Sequence, residues 1–163
     1  MVLGIIDTDS LNDARKKIEI KAKEGRIVIV KGRDDSFNRK ILENKKVNML
    51  LSPESGYKKD RLKQRDSGLN HILCRIAKEN GIVIGIDFQE ILNKQVEGKK
   101  QLSEHLARIM QNIKLCKKAK TRMILINKSG REDYDLRALL ITLGMPTGMA
   151  KSAVEEDAKV ISH

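Results

Sequence analysis

The chain has 163 residues, of which 33 are Lys or Arg and 22 are Asp or Glu, so its formal net charge is +11. This charge favours a polyanionic partner, of which nucleic acid is the commonest, although interspersed charges of both signs also suit a solvated surface. Aromatic residues make up only 2% of the chain and Trp is absent, which disfavours recognition of unpaired bases by stacking. No apolar run reaches the roughly 18 residues of a membrane span, and the N-terminus lacks a signal-peptide pattern, so we expect a cytoplasmic protein with no membrane partner.

The first third of the chain alternates short apolar runs with amphipathic helices, which is the pattern of βα units. The predicted elements are a strand at residues 2–6, a helix that opens with a capping signature at Ser10 and ends at Gly25, a strand at 26–30, a short helix capped by Asp35 or Ser36, and a strand at 47–51. Residues 52–65 interrupt this rhythm with Pro53, Gly56 and the run YKKDRLKQR. That run has five basic residues and one acid in nine positions, which predicts a basic loop.

The stretch 66–92 is the best-formed βα unit of the chain. Its apolar residues recur at the spacing of one helical face, and they are Leu69, Ile72, Leu73, Ile76 and Ala77. Asp66 or Ser67 could cap this helix, and Gly81 ends it. Residues 82–86 form an apolar run without polar alternation, as expected of a strand that is covered on both faces in a parallel sheet. We interpret residues 87–92 as the exit of this strand.

The last third of the chain repeats the pattern. The predicted elements are a polar connection at 94–100, a long helix from Leu102 to about Lys118, a strand at 123–126, a helix striped with leucine that stops at Gly144, and a last helix from about Thr147. Residues 114–122 include five basic residues and no acid, a charge that also suits the negative C-terminal end of a helix dipole. Repeated βα units predict one parallel sheet, either open or curled into a barrel, and we expect a single domain over residues 1–163.

Polar residues at the carboxyl ends of the strands are the candidates for a catalytic site on such a fold. They are Asp7, Lys31, Arg33, Ser52, Asp87, Asn127, Lys128 and Ser129. Asp7 and Asp87 could form a carboxylate pair or bind magnesium, but an Asp directly after a strand is more often a turn or helix cap. The sequence contains no nucleotide-binding loop, nucleophile elbow or metal-binding histidine motif, so we assign no catalytic residue and no metal site.

The histidines and cysteines lack the spacing of a metal or redox site. His71 and His105 fall in different predicted helices and His163 is the last residue, which favours structural roles over zinc binding. Cys74 and Cys116 each fall in a predicted helix without a CxxC motif. This pattern predicts two partly buried, reduced thiols and no disulfide.

Basic residues are therefore the main candidates for function. They cluster at the end of the short helix, in the loop before residue 66, at the end of the long helix, after the last strand and in the last helix. The RNA-binding candidates are Arg39, Lys40, Lys58, Lys59, Arg61, Arg65, Lys118, Arg122, Lys128, Arg131 and Lys151. Each would be an ordinary solvated charge by itself, but together with an aliphatic α/β core they suit a protein that holds a folded RNA by its phosphates and shape.

Five segments resemble the archaeal ribonuclease P protein component 3 family, the counterpart of the eukaryotic thirty-kilodalton subunit. They are LLSPE at 50–54, RDSGLNHIL at 65–73, IAKENGIVIGIDFQEIL at 76–92, YDLRALLITLGM at 134–145 and GMAKSAV at 148–154. The segments follow the family's order, and the resemblance covers residues 26–155.

The resemblance implies a TIM-barrel-like fold of parallel βα units, related to phosphoesterases of the polymerase and histidinol phosphatase type but without their metal-binding histidines. It implies a subunit that stabilises a catalytic RNA, which removes the 5′ leader from precursor tRNA with magnesium, so that the protein needs no cofactor of its own. The implied partners are the ribonuclease P RNA, protein component 2, other holoenzyme proteins and, through the complex, precursor tRNA. Carried onto matching positions, the RNA contacts are Arg39 or Lys40, Arg65, Lys118 and Lys151.

The chain departs from the family's pattern in three places. Relatives usually have a further βα stretch before the segment that matches residues 1–25, so we expect a short form or a fragment with an incomplete barrel. Residues 55–63 resemble an insertion. Asn70 stands where relatives often have Asp, and NKSG at 127–130 replaces a more Ser-rich strand exit. A metal-dependent phosphoesterase that uses Asp7 and Asp87 is the alternative function.

Overall fold

The computed structural model describes residues 2–55, 60 and 65–157. Within them lie five strands and seven helices, in the order β1 (Leu3–Ile6), α1 (Leu11–Lys23), β2 (Ile27–Lys31), α2 (Asp35–Leu42), β3 (Met49–Leu51), α3 (His71–Glu79), β4 (Val83–Asp87), α4 (Phe88–Glu97), α5 (Lys99–Ala119), β5 (Met123–Ile126), α6 (Asp133–Thr142) and α7 (Thr147–Glu155). No helix in this part of the chain is both long and apolar enough to cross a membrane.

The five strands form one sheet in which neighbours in sequence are also neighbours in space. The order is β1-β2-β3-β4-β5, and each of the four pairings is parallel. A doubly wound sheet would reverse its strand order at a switch point, whereas a sequential order is that of a barrel wall. The predicted TIM-barrel-like fold is therefore confirmed, and β1 and β5 are the two edge strands of the sheet in the described residues.

The two faces of the sheet bury different partners. Side chains on one face pack with the helices in the larger core cluster, which includes Ile6, Leu50 and Ile84. Among the described residues, the apolar side chains on the other face all come from strands, and they are Leu3, Ile27, Ile29, Met49, Leu51, Val83, Ile124 and Ile126. One helix-covered face and one face that packs on itself are expected of the outside and inside of a barrel. This explains why the strands have apolar runs without polar alternation.

Gly85 makes room for packing on the inner face. A Cβ atom at this position would lie 2.6 Å from Met49 Sδ and 2.9 Å from Leu51 Cδ1, which are closer than any real Cβ contact. Both neighbours come from β3, whose residue Leu51 is the register partner of Gly85. The glycine therefore allows β3 side chains to fill the inside of the sheet.

Two helices are capped by residues other than those predicted. Asp34 caps α2, where its side chain accepts a hydrogen bond from the Phe37 N–H at 2.8 Å. Asn70 caps α3 and accepts from the N–H groups of Ile72 and Leu73 at 2.9 and 3.0 Å. The caps predicted from the sequence were Asp35 or Ser36 and Asp66 or Ser67. Since Asn caps as well as Asp does, Asn70 retains the capping role that an Asp would have at this position.

Helix α4 was not predicted. The sequence pattern indicated a strand exit and a polar connection here, but the Asp87 side chain accepts from the Gln89 N–H at 3.0 Å and begins a helix directly at the end of β4. The helix buries Phe88 and Ile91 and ends at Gly98, whose φ of 137° separates it from α5. Only two buried apolar residues mark this helix, which is too few for a clear helical period.

Candidate nucleic-acid interface

A polar stripe on α5 holds the segment that leads into α3. Arg108, Gln111 and Asn112 lie at i, i+3 and i+4, so they share one face of the helix. The Gln111 Nε2 atom donates to the backbone oxygen of Arg65 at 3.2 Å, and Asn112 Nδ2 donates to the backbone oxygen of Ser67 at 3.1 Å. Asn112 is 1% exposed. These bonds fix the backbone at Arg65, one of the predicted RNA-binding residues.

Asp60 occupies a cradle of hydrogen-bond donors beside this stripe. Its Oδ1 atom accepts from Arg108 Nη2 at 3.2 Å, from Arg108 Nε at 3.4 Å and from the Asp66 N–H at 3.0 Å. Its Oδ2 atom accepts from Arg65 Nη1 at 3.3 Å. Asp60 is the single acid of the basic run at 57–65, and it therefore lies between two arginines from different elements.

The hydrogen-bond donors and positive charges around the Asp60 carboxylate lower its pKa by more than its partial burial raises it. Partial burial acts to raise its pKa, but the hydrogen bond from the Asp66 N–H and the hydrogen bond and positive charge of Arg108 act in the opposite direction. The net effect is a pKa below the usual range of an Asp side chain. The carboxylate is therefore ionised at neutral pH, and the cradle is one that stabilises an anion.

A buried polar layer lies below this region. The Ser55 hydroxyl donates to Glu90 Oε1 at 2.5 Å, and Asn112 Nδ2 donates to Glu54 Oε2 at 3.2 Å. His105 belongs to the same layer, is 4% exposed, and has its pKa lowered chiefly by burial. A neutral imidazole inside the fold agrees with the structural role predicted for this histidine.

A second group of basic residues lines a groove at the amino end of β5. The groove has a volume of about 360 Å³ and lies between the end of α5 and α7. Its lining includes Lys117, Lys120, Arg122 and Ser152. Lys118 and Lys151 are exposed, and each is next in sequence to a lining residue, Lys117 and Ser152 respectively. Lys118, Arg122 and Lys151 therefore belong to one region of the fold. Arg122 Nη2 pairs with Glu156 Oε2 at 2.6 Å.

The other described candidates lie apart from these two groups. Arg39 and Lys40 are in the last turn of α2, where both pair with Glu43, at 2.9 and 3.3 Å. Lys128 follows β5 and contacts Asp133 at 3.4 Å and the backbone oxygen of Val154. Arg131 is exposed in the loop that follows. The structure thus distributes the predicted residues over several surfaces, and Lys58, Lys59 and Arg61 lie outside the described residues.

The carboxyl ends of the strands form a mixed-charge pocket. It has a volume of about 480 Å³, and its lining includes Lys31, Asp87, Lys94, Asn127 and Ser129. Asp87 accepts a hydrogen bond from Asn127 Nδ2 at 3.0 Å in addition to capping α4. The cap interpretation of Asp87 is therefore confirmed.

Asp7 and Asp87 do not form a carboxylate pair. Asp7 follows β1 and Asp87 is the last residue of β4, and β2 and β3 lie between these strands. The two residues are therefore roughly 14 Å apart along a sheet with about 4.8 Å between strands. Asp7 instead pairs with Arg33, which also contacts Asp9 at 2.5 Å. In the part of the chain that the structure describes, no three His, Cys, Asp or Glu side chains are grouped to hold a metal ion.

The two cysteines lie together in the core. Cys74 on α3 and Cys116 on α5 are both free and fully buried, and their Sγ atoms are 3.9 Å apart. The predicted absence of a disulfide agrees with this geometry. Their burial is more complete than predicted, because both residues lie where α3 packs against α5.

Arg108 was not among the residues predicted from the sequence. Its side chain is only 11% exposed, and it lies outside every run of basic residues. The available signal was the set of polar residues at 108, 111 and 112 within a helix whose buried face is otherwise apolar. That pattern indicates a polar contact across the helix surface but does not identify the partner segment.

These features define the class of protein: a TIM-barrel-like α/β protein whose basic side chains lie on several surface regions. Comparison with known sequences then gives the family. The family model described as RNase P subunit p30 matches residues 5–163, and the chain belongs to this family. The resemblance drawn from the five sequence segments is confirmed.

Individual relatives agree with this assignment. The chain is 29% identical to a Ribonuclease P protein component 3 of Methanococcus maripaludis, over 97% of this chain and 66% of that protein. It is 30% identical to the Ribonuclease P protein component 3 of Methanocaldococcus jannaschii, over 95% of this chain and 64% of the relative. The chain therefore spans slightly less than two thirds of the length of these relatives.

A solved structure has the same fold. A chain in the cryo-EM structure of archaeal Ribonuclease P with mature tRNA superimposes with a TM-score of 0.71 at 28% sequence identity. The match covers 90% of this chain and 62% of that one. The similarity extends over nearly all of the architecture described above.

Proposed function

We propose that this protein is a non-catalytic, RNA-binding subunit of ribonuclease P, which removes the 5′ leader from precursor tRNA. The observation that carries the proposal is the match of the RNase P subunit p30 family to residues 5–163. The net charge of +11 supports it, since an RNA backbone is the kind of polyanion that such a charge attracts.

The proposed contribution of the protein is electrostatic. A folded RNA brings many phosphates close together, and Lys and Arg side chains reduce their mutual repulsion without reading the sequence. Arg65 and the group formed by Lys118, Arg122 and Lys151 are the described residues that we assign to this role. We also assign this role to Arg39, Lys40, Lys128 and Arg131. Paired acids partly neutralise the charges of Arg39, Lys40 and Lys128.

The proposal includes the partners and the setting of the protein. The ribonuclease P RNA is the catalyst and binds the magnesium that the reaction uses, and the protein has no cofactor of its own. Protein component 2 and other holoenzyme proteins are its protein partners, and precursor tRNA reaches it through the complex. We place the protein in the cytoplasm.

The phosphoesterase alternative receives no support from the geometry. It requires two carboxylates that share a metal or a substrate, but the side chains of Asp7 and Asp87 are engaged with Arg33 and with the start of α4, respectively. A two-metal site has ions only about 4 Å apart. The strand order therefore separates the two residues by too great a distance for a joint role.

A pull-down tests the proposal directly. The tagged chain should recover the ribonuclease P RNA and protein component 2 from a lysate of the source organism, as measured by sequencing of the RNA and mass spectrometry. The purified chain should also increase cleavage of precursor tRNA when it is added to the RNA with the remaining holoenzyme proteins. Recovery of ribosomal RNA in place of ribonuclease P RNA, together with no gain in cleavage, would refute the proposal.

A further inference from the structure

The cradle around Asp60 has the composition of a phosphate site. Two guanidinium groups and one backbone N–H converge on a single carboxylate, from Arg65, Arg108 and Asp66. Arginine forks bind carboxylate and phosphate oxygens in the same way, because both anions present two oxygens to parallel N–H donors. A phosphate that replaced the Asp60 carboxylate would therefore meet suitable hydrogen-bond donors.

The contacts of Asp60 are long for ion pairs. Its distances to the arginine nitrogens are between 3.2 and 3.4 Å, whereas charge-assisted N–H···O bonds are typically about 2.7–2.9 Å. Other pairs in this protein are shorter, such as Arg122 with Glu156 at 2.6 Å and Lys46 with Glu19 at 2.6 Å. A partly exposed carboxylate at such distances is bound weakly enough to be exchanged for another anion.

The two arginines of the cradle differ in their exposure to solvent. Asp60 supplies one negative charge between two positive ones, and the side chain of Asp66 is turned towards the Gly68 N–H, at 3.3 Å. Arg108 is the better shielded of the two cations, with 11% of its side chain exposed against 46% for Arg65. A shielded cation interacts more strongly with an anion than a fully solvated one does.

From these observations we propose that Arg65, Arg108 and the Asp66 N–H form a binding site for one phosphate of an RNA backbone, and that Asp60 occupies this site until RNA displaces it. The inference rests on the proposed RNA-binding function and adds a specific contact to it. Asp60 is then an internal competitor of RNA. A purely structural role for Asp60 makes the opposite prediction, because its loss would then disturb Arg65 and weaken RNA binding.

The test is the affinity of the full chain for ribonuclease P RNA after Asp60→Asn and Asp60→Ala. Both variants should bind about two- to fivefold more tightly, the effect expected when one weak ion pair no longer competes. The slope of log affinity against log salt should stay close to that of the wild type, because the same phosphate is bound in both complexes once RNA has displaced Asp60. Asp13→Asn is the matched control, since it removes the same charge and releases Lys17 from a comparable pair on α1.

The control should change the affinity by less than about 1.5-fold, since distant exposed charges are screened. In an Arg108→Gln background, Asp60→Asn should bring no gain. Asp60 variants that bind RNA no more tightly than Asp13→Asn would overturn the inference while leaving the proposed function intact. A wild-type chain that does not bind the RNA at all would instead refute the proposed function.

Inorganic phosphate gives a measurement that does not depend on RNA. Inorganic phosphate should shift the NMR signals of the Arg65 and Arg108 Nε–H groups at lower concentrations in Asp60→Asn than in the wild type. Unchanged signals in both proteins would overturn the site itself. Tight binding of free phosphate without a gain in RNA affinity would overturn the assignment to RNA.

Discussion

The two basic regions of this protein hold their cations in different ways. Around Asp60, Arg65 and Arg108 are fixed by hydrogen bonds and by the polar stripe of α5. Around the end of α5, Lys118 and Lys151 are exposed, and neither pairs with an acid in the described residues. The first region therefore has defined geometry, and the second has high charge density with little fixed geometry. A defined site can distinguish one orientation of a phosphate, whereas a diffuse one contributes long-range attraction.

The largest expected effect concerns the stripe that fixes the first region. Asn112→Ala removes the donor to the Ser67 carbonyl and to Glu54 inside the fold, which should lower the free energy of unfolding by about 1–3 kcal/mol. Urea unfolding followed by circular dichroism measures this loss. Asn93→Ala on the surface of α4 is the control and should remain within about 0.5 kcal/mol of the wild type. Equal stabilities for both variants would show that the stripe does not fix the segment.

Removal of charge should have a different signature in the second region. Lys118→Gln combined with Lys151→Gln should leave stability unchanged but weaken binding of ribonuclease P RNA, since each lost phosphate contact lowers the salt slope by about 0.7–0.9. Filter binding over a series of salt concentrations measures the slope. Lys16→Gln, an exposed substitution on α1, should leave it unchanged. A slope unaffected by the double substitution would remove both lysines from the interface.

Exchanging arginine and lysine should affect RNA affinity differently in the two basic regions. Arg65→Lys keeps the charge but loses the planar fork of donors, so it should weaken RNA binding by about two- to fivefold. Lys118→Arg should stay within about twofold, because a diffuse site depends on charge more than on geometry. The ratio of the two effects, measured at one salt concentration, is the test. If both substitutions had the same effect, the proposed difference in geometry would be wrong.

The smallest effect is a pH dependence of stability. The pKa of Asp60 is lowered in the folded protein, so ionised Asp60 stabilises the fold above its unfolded pKa of about 3.9, and this contribution is lost as the pH falls through the lower, folded pKa. The difference in stability between wild type and Asp60→Asn should therefore be present near neutral pH and vanish in acid. Thermal unfolding at several pH values tests this, and a difference that grows towards acid pH would contradict it.

The sequence predicted the fold where apolar residues repeat clearly. The apolar run at 82–86 indicated a strand covered on both faces, and β4 occupies Val83–Asp87 in the middle of the sheet. It failed at α4, where only Phe88 and Ile91 are buried, and at the caps of α2 and α3, where several adjacent polar residues were equally suitable. Local patterns thus identify long elements better than their ends.

The candidate site could be predicted only in part. Arg65 and the cations near the end of α5 were identified because they lie in runs of like charge. The cradle around Asp60 could not be predicted, because it joins the stretch 60–66 to α5, and Asp60 is 48 residues from Arg108. The sequence around Asp60 does not identify Arg108 as its partner, because only the fold brings α5 beside Asp60.

The most direct test of the central claim is the salt dependence of binding between the wild-type chain and ribonuclease P RNA. If the protein holds the RNA by its phosphates, log affinity should fall linearly with log salt concentration, with a slope of about −0.7 to −0.9 for each phosphate contacted. Isothermal or filter-binding titrations at four or more salt concentrations would give this slope. An affinity that does not change with salt would contradict the account.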